Sequence, residues 1–284
     1  MTVHSNLFRF RTSDGERLHG LHFKPSTPED NFNLAVLMVH GVALNFYTGP
    51  LPVFAQGLAE RGHHVFTINT RGHDWVSRGG DGTAFCGATY ENLEDCLLDL
   101  DGALSWLGTQ GFQRYVLMGH SLGCIKSLLY QGTRKRVDVV GVISCSAPRQ
   151  YYSARASDQP KFPQRMAKAE KLLGEGRGEE FLWAETGDSQ GLFSARTYVS
   201  KYGSHEKNDI RPHAARLGCP LLTLAGGMEH PNFPAYAREL AESAGPNRGM
   251  YRLIEGANHS YHRREGQVIE IISNWLKGID GHDS

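Results

Sequence analysis

The chain contains no apolar run approaching the roughly 20 residues that cross a bilayer, so the sequence offers no membrane span. It lacks an excess of either charge, with Lys plus Arg and Asp plus Glu both at 30. Binding to phosphate backbones or anionic lipid draws on a basic surplus, so neither nucleic acid nor membrane is an expected partner. Cysteine is sparse. Cys86, Cys96, Cys124, Cys145 and Cys219 are odd in number and form no Cys-x-x-Cys pair. Reduced thiols in a cytoplasmic protein fit that usage. Met1 to Asn6 shows no basic stretch followed by an apolar core, the pattern of a secretory leader.

Metal and phosphate motifs are also missing. There is no His-Glu-x-x-His, and His63-His64 are adjacent in a way that suits one shared ion poorly. The glycine-rich run Gly174 to Gly178 is followed by no Lys-Ser/Thr pair and preceded by no strand, so it does not read as a phosphate loop. No metal and no cofactor is expected. There is no internal repeat and no low-complexity tract.

What is present is ordinary globular composition, with 40% hydrophobic residues over 284 positions, enough for one large α/β unit. Leu7–Phe10 and Arg17–Phe23 flank the turn signal Ser13-Asp14-Gly15 and predict an N-terminal hairpin. Short, nearly unbroken apolar runs at 33–39, 64–69, 114–118, 137–144, 220–225 and 249–254 read as strands, most of them buried on both faces. Helical patterns alternate with them at about 51–61, 93–107, 124–132 and 234–243, and after 268. Such alternation implies a mostly parallel sheet joined by right-handed crossovers. From Pro148 the alternation stops, and mixed charge with helical patches at 165–173 and 194–202 takes over. The expected organisation is a core of residues 1–148 and 213–284, with a helical cap inserted at 149–212.

Within this frame stands Gly119-His120-Ser121-Leu122-Gly123, between a strand and a helix. A strand that turns sharply into a helix through Gly-x-Ser-x-Gly presents the serine hydroxyl at the tip of the turn, and the glycines remove side chains the turn has no room for. Glycine is common here, at 33 residues, so the match draws its weight from its position between strand and helix. A serine hydroxyl needs a base within hydrogen-bond reach, and the base needs an orienting acid. Of 14 histidines, His259 lies in a polar turn after the last strand, at the strand end where parallel sheets gather ligands. The loop after strand 220–225 holds one carboxylate, Glu229, the candidate acid; a carboxylate elsewhere is the alternative. Oxyanion donors are expected from the backbone N–H of Leu122 and, after His40-Gly41, of Val42. His40 reads as a brace for that loop. Phe46, Tyr47, Trp75, Tyr151 and Trp183 are candidates for an apolar acyl pocket, although ordinary packing explains each alone.

These elements in this order resemble the α/β-hydrolase family. His40-Gly41 after the third strand, Gly119 to Gly123, and His259 carry the likeness, which spans nearly the whole chain. The loop Thr70-Arg71-Gly72-His73-Asp74-Trp75 is similar to the family's Arg-Gly-His-Gly element, with Asp74 in place of the second glycine. The family commonly carries Asp where Glu229 stands. More loosely, Gly-His-Ser-x-Gly-Cys and the stretch 193–202 are similar to siderophore-ester hydrolases. The resemblance implies an eight-stranded α/β-hydrolase sheet and serine-dependent hydrolysis of a small-molecule carboxylic ester by a monomer or homodimer. Thioesters, lactones and C–C bonds use the same three residues, and a non-catalytic ligand-binding protein on this fold is the alternative of a different class. Serine at the turn sets the chain apart from the epoxide hydrolases and dehalogenases, which place aspartate there.

Overall fold

The apolar runs pair into one eight-stranded sheet. A computed structural model describes residues 4–25, 33–80, 82, 84–186 and 189–280. In chain order the first half comprises β1 (His4–Arg11), β2 (Arg17–Lys24), β3 (Leu34–Val39), α1 (Leu51–Ala59), β4 (His64–Ile68), β5 (Ser77–Arg78), β6 (Phe85–Cys86), α2 (Cys96–Thr109), β7 (Arg114–His120), α3 (Leu122–Arg134) and β8 (Val139–Cys145). The second half comprises α4 (Tyr152–Asp158), α5 (Phe162–Gly174), β9 (Phe181–Thr186), β10 (Ser189–Ser194), α6 (Ala195–Tyr202), α7 (Arg211–Ala215), β11 (Leu221–Gly226), α8 (Asn232–Ala244), β12 (Gly249–Ile254) and α9 (Glu265–Asp280).

The strand order in the main sheet is β1-β2-β4-β3-β7-β8-β11-β12. β1 and β2 form the N-terminal hairpin, and β2 runs antiparallel to β4. Every pairing from β4 onward is parallel. This is the mostly parallel sheet that the alternation of strands and helices implied, in the eight-stranded α/β-hydrolase arrangement that the resemblance implied.

Why the central strands are continuously apolar is visible in β3, where all six residues are buried. Ala35, Leu37 and Val39 enter one apolar cluster with α2, α3 and α8. Val36 and Met38 enter a second cluster with α1 and α9. Successive side chains of a strand point to opposite faces, so a strand covered by helices on both sides has no position left for a polar residue.

The segment between β8 and β11 departs from an all-helical insertion. It holds α4, α5, α6 and α7, but also the antiparallel hairpin β9–β10. Phe162, Met166, Leu172, Phe193, Tyr198 and Tyr202 form an apolar cluster of its own. Its two ends belong to the main core instead, through Tyr151 and Ala154 at one side and Ile210 and Ala214 at the other. The hairpin is hidden in the sequence because Phe181 and Trp183 are exposed while Leu182 is buried. With large apolar residues on both faces, no polar–apolar alternation marks the strand.

The parallel strands β3, β7, β8, β11 and β12 are consecutive in the sheet. The turns that follow them carry Gly41, Ser121, Ser146, Glu229 and His259. Parallel strands end on one rim, so five distant stretches of sequence converge there.

Candidate active site

Ser121 sits between β7 and α3 with φ 54° and ψ −122°, a backbone conformation that costs an L-residue of order 1–3 kcal/mol. The structure holds it there by the Ser121 N–H, which donates to the Cys145 carbonyl at 3.0 Å, and by the first turn of α3, where the Cys124 N–H donates to the Ser121 carbonyl at 2.9 Å. The two flanking glycines are close-approach residues. A Cβ on Gly119 would overlap the Gly123 carbonyl, and a Cβ on Gly123 would overlap the Val39 carbonyl at the end of β3.

His259 and Glu229 meet where the turns after β12 and β11 come together. His259 Nδ1–H donates to Glu229 Oε1 at 2.6 Å. The Glu229 side chain is 1% exposed and the imidazole 41% exposed. A buried carboxylate against a half-open imidazole leaves the far ring nitrogen, Nε2, as the face that chemistry can use. The other carboxylate oxygen, Oε2, accepts from the Gly226 N–H at 2.6 Å and from Ser146 Oγ at 2.8 Å. Tyr261, fully buried, donates its hydroxyl proton to Ser146 Oγ at 2.7 Å. Each hydroxyl thus passes one proton toward the carboxylate, and Ser146 holds its place with a left-handed φ of 58°.

His120 ties the two turns together. Its ring lies 5.0 Å from that of His259, and its Nε2–H donates to the His259 carbonyl at 2.8 Å. Burial, and then the neighbouring His259, push its pKa down to about 3, so the ring is neutral. Phe233 on α8 packs edge-on against His259 with centroids 5.0 Å apart. The Ser121 hydroxyl itself makes no hydrogen bond among the described residues.

On the other side of Ser121 lies the turn after β3. A Cβ on Gly41 would stand 3.1 Å from Ser121 Cβ, so Gly41 packs directly on the serine. Among the described residues, the Val42 N–H donates to no backbone carbonyl, and Leu122, as the first residue of α3, has no helical carbonyl behind it. Both amides remain available to an anion. His40 is fully buried beneath this turn, with Nδ1–H donating to the Gly41 carbonyl at 2.8 Å.

The five aromatic pocket candidates are spread out. Phe46 and Tyr47 touch edge to face at 5.0 Å, and Tyr47 is exposed. Trp75 meets Phe193 of β10 at 5.9 Å, joining the loop after β4 to the segment above. Trp183 lies exposed on β9. Tyr151 is packed in the main core between Tyr236 and the Arg211 guanidinium, and so offers no open ring face. The structure adds three residues that the sequence reading passed over: His120, Ser146 and Tyr261. His120 was open to notice as the x of Gly-x-Ser-x-Gly. Ser146 and Tyr261 carry no local signal, because their role depends on β8 and the turn after β12 coming together. Among the described residues, no cluster of three or more His, Cys, Asp or Glu side chains is placed to hold a metal ion.

Comparison with known proteins agrees with this fold. The sequence profile of the Alpha/beta hydrolase family matches residues 36–271. No curated protein matches by sequence. Among solved structures, the monoacylglycerol lipase of Paleococcus ferrophilus is 19% identical with a TM-score of 0.67, covering 98% of this chain and 100% of its own. The alpha/beta hydrolase GrgF from Penicillium sp. sh18 is 16% identical with a TM-score of 0.71, over 98% and 99%. Est1E from Butyrivibrio proteoclasticus, solved with ferulic acid bound, is 14% identical with a TM-score of 0.69, over 96% and 99%. At these identities the likeness is one of fold.

Proposed function

The chain belongs to the alpha/beta hydrolase family, and from that premise we propose that it is a serine hydrolase that cleaves a carboxylic ester through an acyl-enzyme. The observation that carries this reading is the buried Glu229 carboxylate hydrogen-bonded to His259, whose ring lies 5.0 Å from that of His120, the residue before a serine held at φ 54°. A glutamate with donors on both oxygens is fixed in place. It sets the imidazole tautomer with the proton on Nδ1 and leaves Nε2 free to act as base.

In this mechanism Ser121 Oγ attacks the ester carbonyl and His259 Nε2 takes its proton. The tetrahedral oxyanion is held by the N–H groups of Val42 and Leu122, the latter at the positive end of the α3 dipole. Nε2–H then protonates the departing alkoxide, leaving the acyl group on Ser121. Water repeats the steps in reverse and releases the acid. The segment 149–212 acts as a cap over this rim. Its support is Val42, which packs against both the main core and the cap's own cluster. Among the described residues no helix is long and apolar enough to cross a membrane. Five cysteines, none of them in a disulfide, suit a reducing cytoplasm. The monoacylglycerol lipase among the solved relatives favours an oxygen ester as the substrate bond.

The test is Ser121→Ala. Wild-type protein should hydrolyse a short p-nitrophenyl ester and be labelled by a fluorophosphonate, and the variant should do neither. Undiminished labelling of Ser121→Ala would overturn the assignment.

A further inference from the structure

Beneath the Gly41 turn lies a buried chain of polar groups that hydrolysis by Ser121, His259 and Glu229 does not call for. It begins on α6, where Lys201 Nζ stands 2.8 Å from Glu91 Oε2. Glu91 Oε1 stands 2.5 Å from Lys126 Nζ of α3. Lys126 Nζ donates to Thr70 Oγ1 at 2.7 Å. Thr70 donates to His40 Nε2 twice, from its hydroxyl at 3.2 Å and from its N–H at 3.1 Å. His40 Nδ1–H donates to the Gly41 carbonyl. All three charged side chains are fully out of water, so two ammonium groups share one carboxylate in the interior. Such clusters are expensive to bury and are no general source of stability, so their presence invites a role.

Glu91 accepts from both lysines, and from Lys126 onward every donor runs in one direction. Lys126 has only protons to give, so the Thr70 hydroxyl accepts from it and passes its own proton to His40 Nε2. That leaves Nδ1 as the protonated nitrogen of His40. Burial, and then the Lys126 charge, push the His40 pKa to about 3, which keeps the ring neutral and the tautomer single. Burial raises the Glu91 pKa, but Lys126 and Lys201 outweigh it and hold it at about 2, so the carboxylate stays charged.

The Gly41 carbonyl belongs to the same planar peptide as the Val42 N–H. In a trans peptide the two point in opposite directions, and no cis peptide occurs among the described residues. Holding the carbonyl on the buried His40 ring therefore aims the Val42 N–H the other way. Resting on the hydrolase reading above, we propose that Lys201, through Glu91, Lys126, Thr70 and His40, makes the aim of the Val42 oxyanion donor depend on the seating of the cap helix α6. Lys201 and Lys126 are positioning residues. They contact no reacting atom, and they link cap closure to transition-state stabilisation.

Lys201→Met is the informative variant, because it leaves Glu91 and Lys126 as a neutral pair. With Glu91 Oε2 vacated, the Lys126 ammonium is drawn between the two carboxylate oxygens and away from Thr70. Loss of an oxyanion donor typically costs 10²–10³-fold in kcat, and a misaimed donor should cost about tenfold. Lys201→Met should thus lower kcat on p-nitrophenyl butyrate about tenfold with KM within about twofold. Affinity for a boronic acid that forms a tetrahedral adduct on Ser121 should fall by the same factor, while affinity for the uncleaved amide analogue stays constant. Thr70→Val should produce a similar loss, and the double variant should fall no further than the worse single, since both break one chain. Should Lys201→Met not fold, Lys201→Gln, which keeps a donor for Glu91 without the charge, is put through the same measurements. Additive losses, or a loss confined to KM, would overturn the coupling and leave the hydrolase reading intact. A wild type that neither turns over the ester nor reacts with a fluorophosphonate would overturn both.

Discussion

His120 makes the stability of this protein depend on pH in a way that can be isolated from every other group. Its folded pKa is held at about 3, by burial first and by His259 second. In the unfolded chain the same imidazole titrates near ~6.5. Between those values the unfolded chain carries a proton that the folded chain refuses. Stability is therefore whole above about pH 6.5 and declines as pH falls toward the folded value. Well inside that window each pH unit costs about 1.4 kcal/mol. Integrated from pH 7 to pH 5, the loss attributable to His120 is about 2 kcal/mol. Other buried groups, His40 among them, add their own pH dependence. Comparison with His120→Gln removes them, because the amide keeps a donor for the His259 carbonyl but takes no proton. Urea unfolding of both proteins at several pH values in that range supplies the measurement. Wild type should lose about 2 kcal/mol more than the variant on going from pH 7 to pH 5. Parallel stability profiles would mean that the folded protein protonates His120 freely, and the account of a sealed, neutral ring beneath the nucleophile turn would fail.

Two further substitutions probe the turn and the acid. Gly119→Ala would drive a Cβ into the backbone of Gly123, which has no side chain to rotate away. It should destabilise the protein by about 3 kcal/mol and reduce fluorophosphonate labelling, and a melting temperature equal to wild type would contradict the close packing of the turn. Ser146→Ala leaves Glu229 Oε2 with the Gly226 N–H alone and strands the Tyr261 hydroxyl. Removing one hydrogen bond to a charged group costs about 1.5–3 kcal/mol. That should appear as a roughly tenfold or larger fall in kcat at unchanged KM, and an unaltered kcat would exclude Ser146 from supporting the acid.

Much of this protein is written in local sequence. The apolar runs of β3, β7, β8 and β11 and the helical stripes between them need no partner to be recognised, because period and length are properties of neighbouring residues. The same holds for Gly119 to Gly123, where two glycines and a serine record a steric constraint only a few bonds wide. His259 and Glu229 were found by their place after particular strands, since parallel strands must end on one rim. Other features fell outside that reach. Lys126 carries no local sign of burial, and only the approach of Glu91, Thr70 and Lys201 shows that it is sealed. Tyr151, an aromatic residue near the expected pocket, was claimed by the core. The β9–β10 hairpin bore no alternation to reveal it.

The sequence alone therefore determined the order of strands and helices around the main sheet and singled out Ser121 at a strand-to-helix turn, because these follow from forces acting between near neighbours. Tertiary structure alone decided which side chains surround that serine, which hydroxyls support Glu229 and which charges lie in the interior. Those contacts join residues as far as 139 positions apart, as between His120 and His259, and a hydrogen bond of under 3 Å across such a span exists only once the sheet has brought its strand ends together.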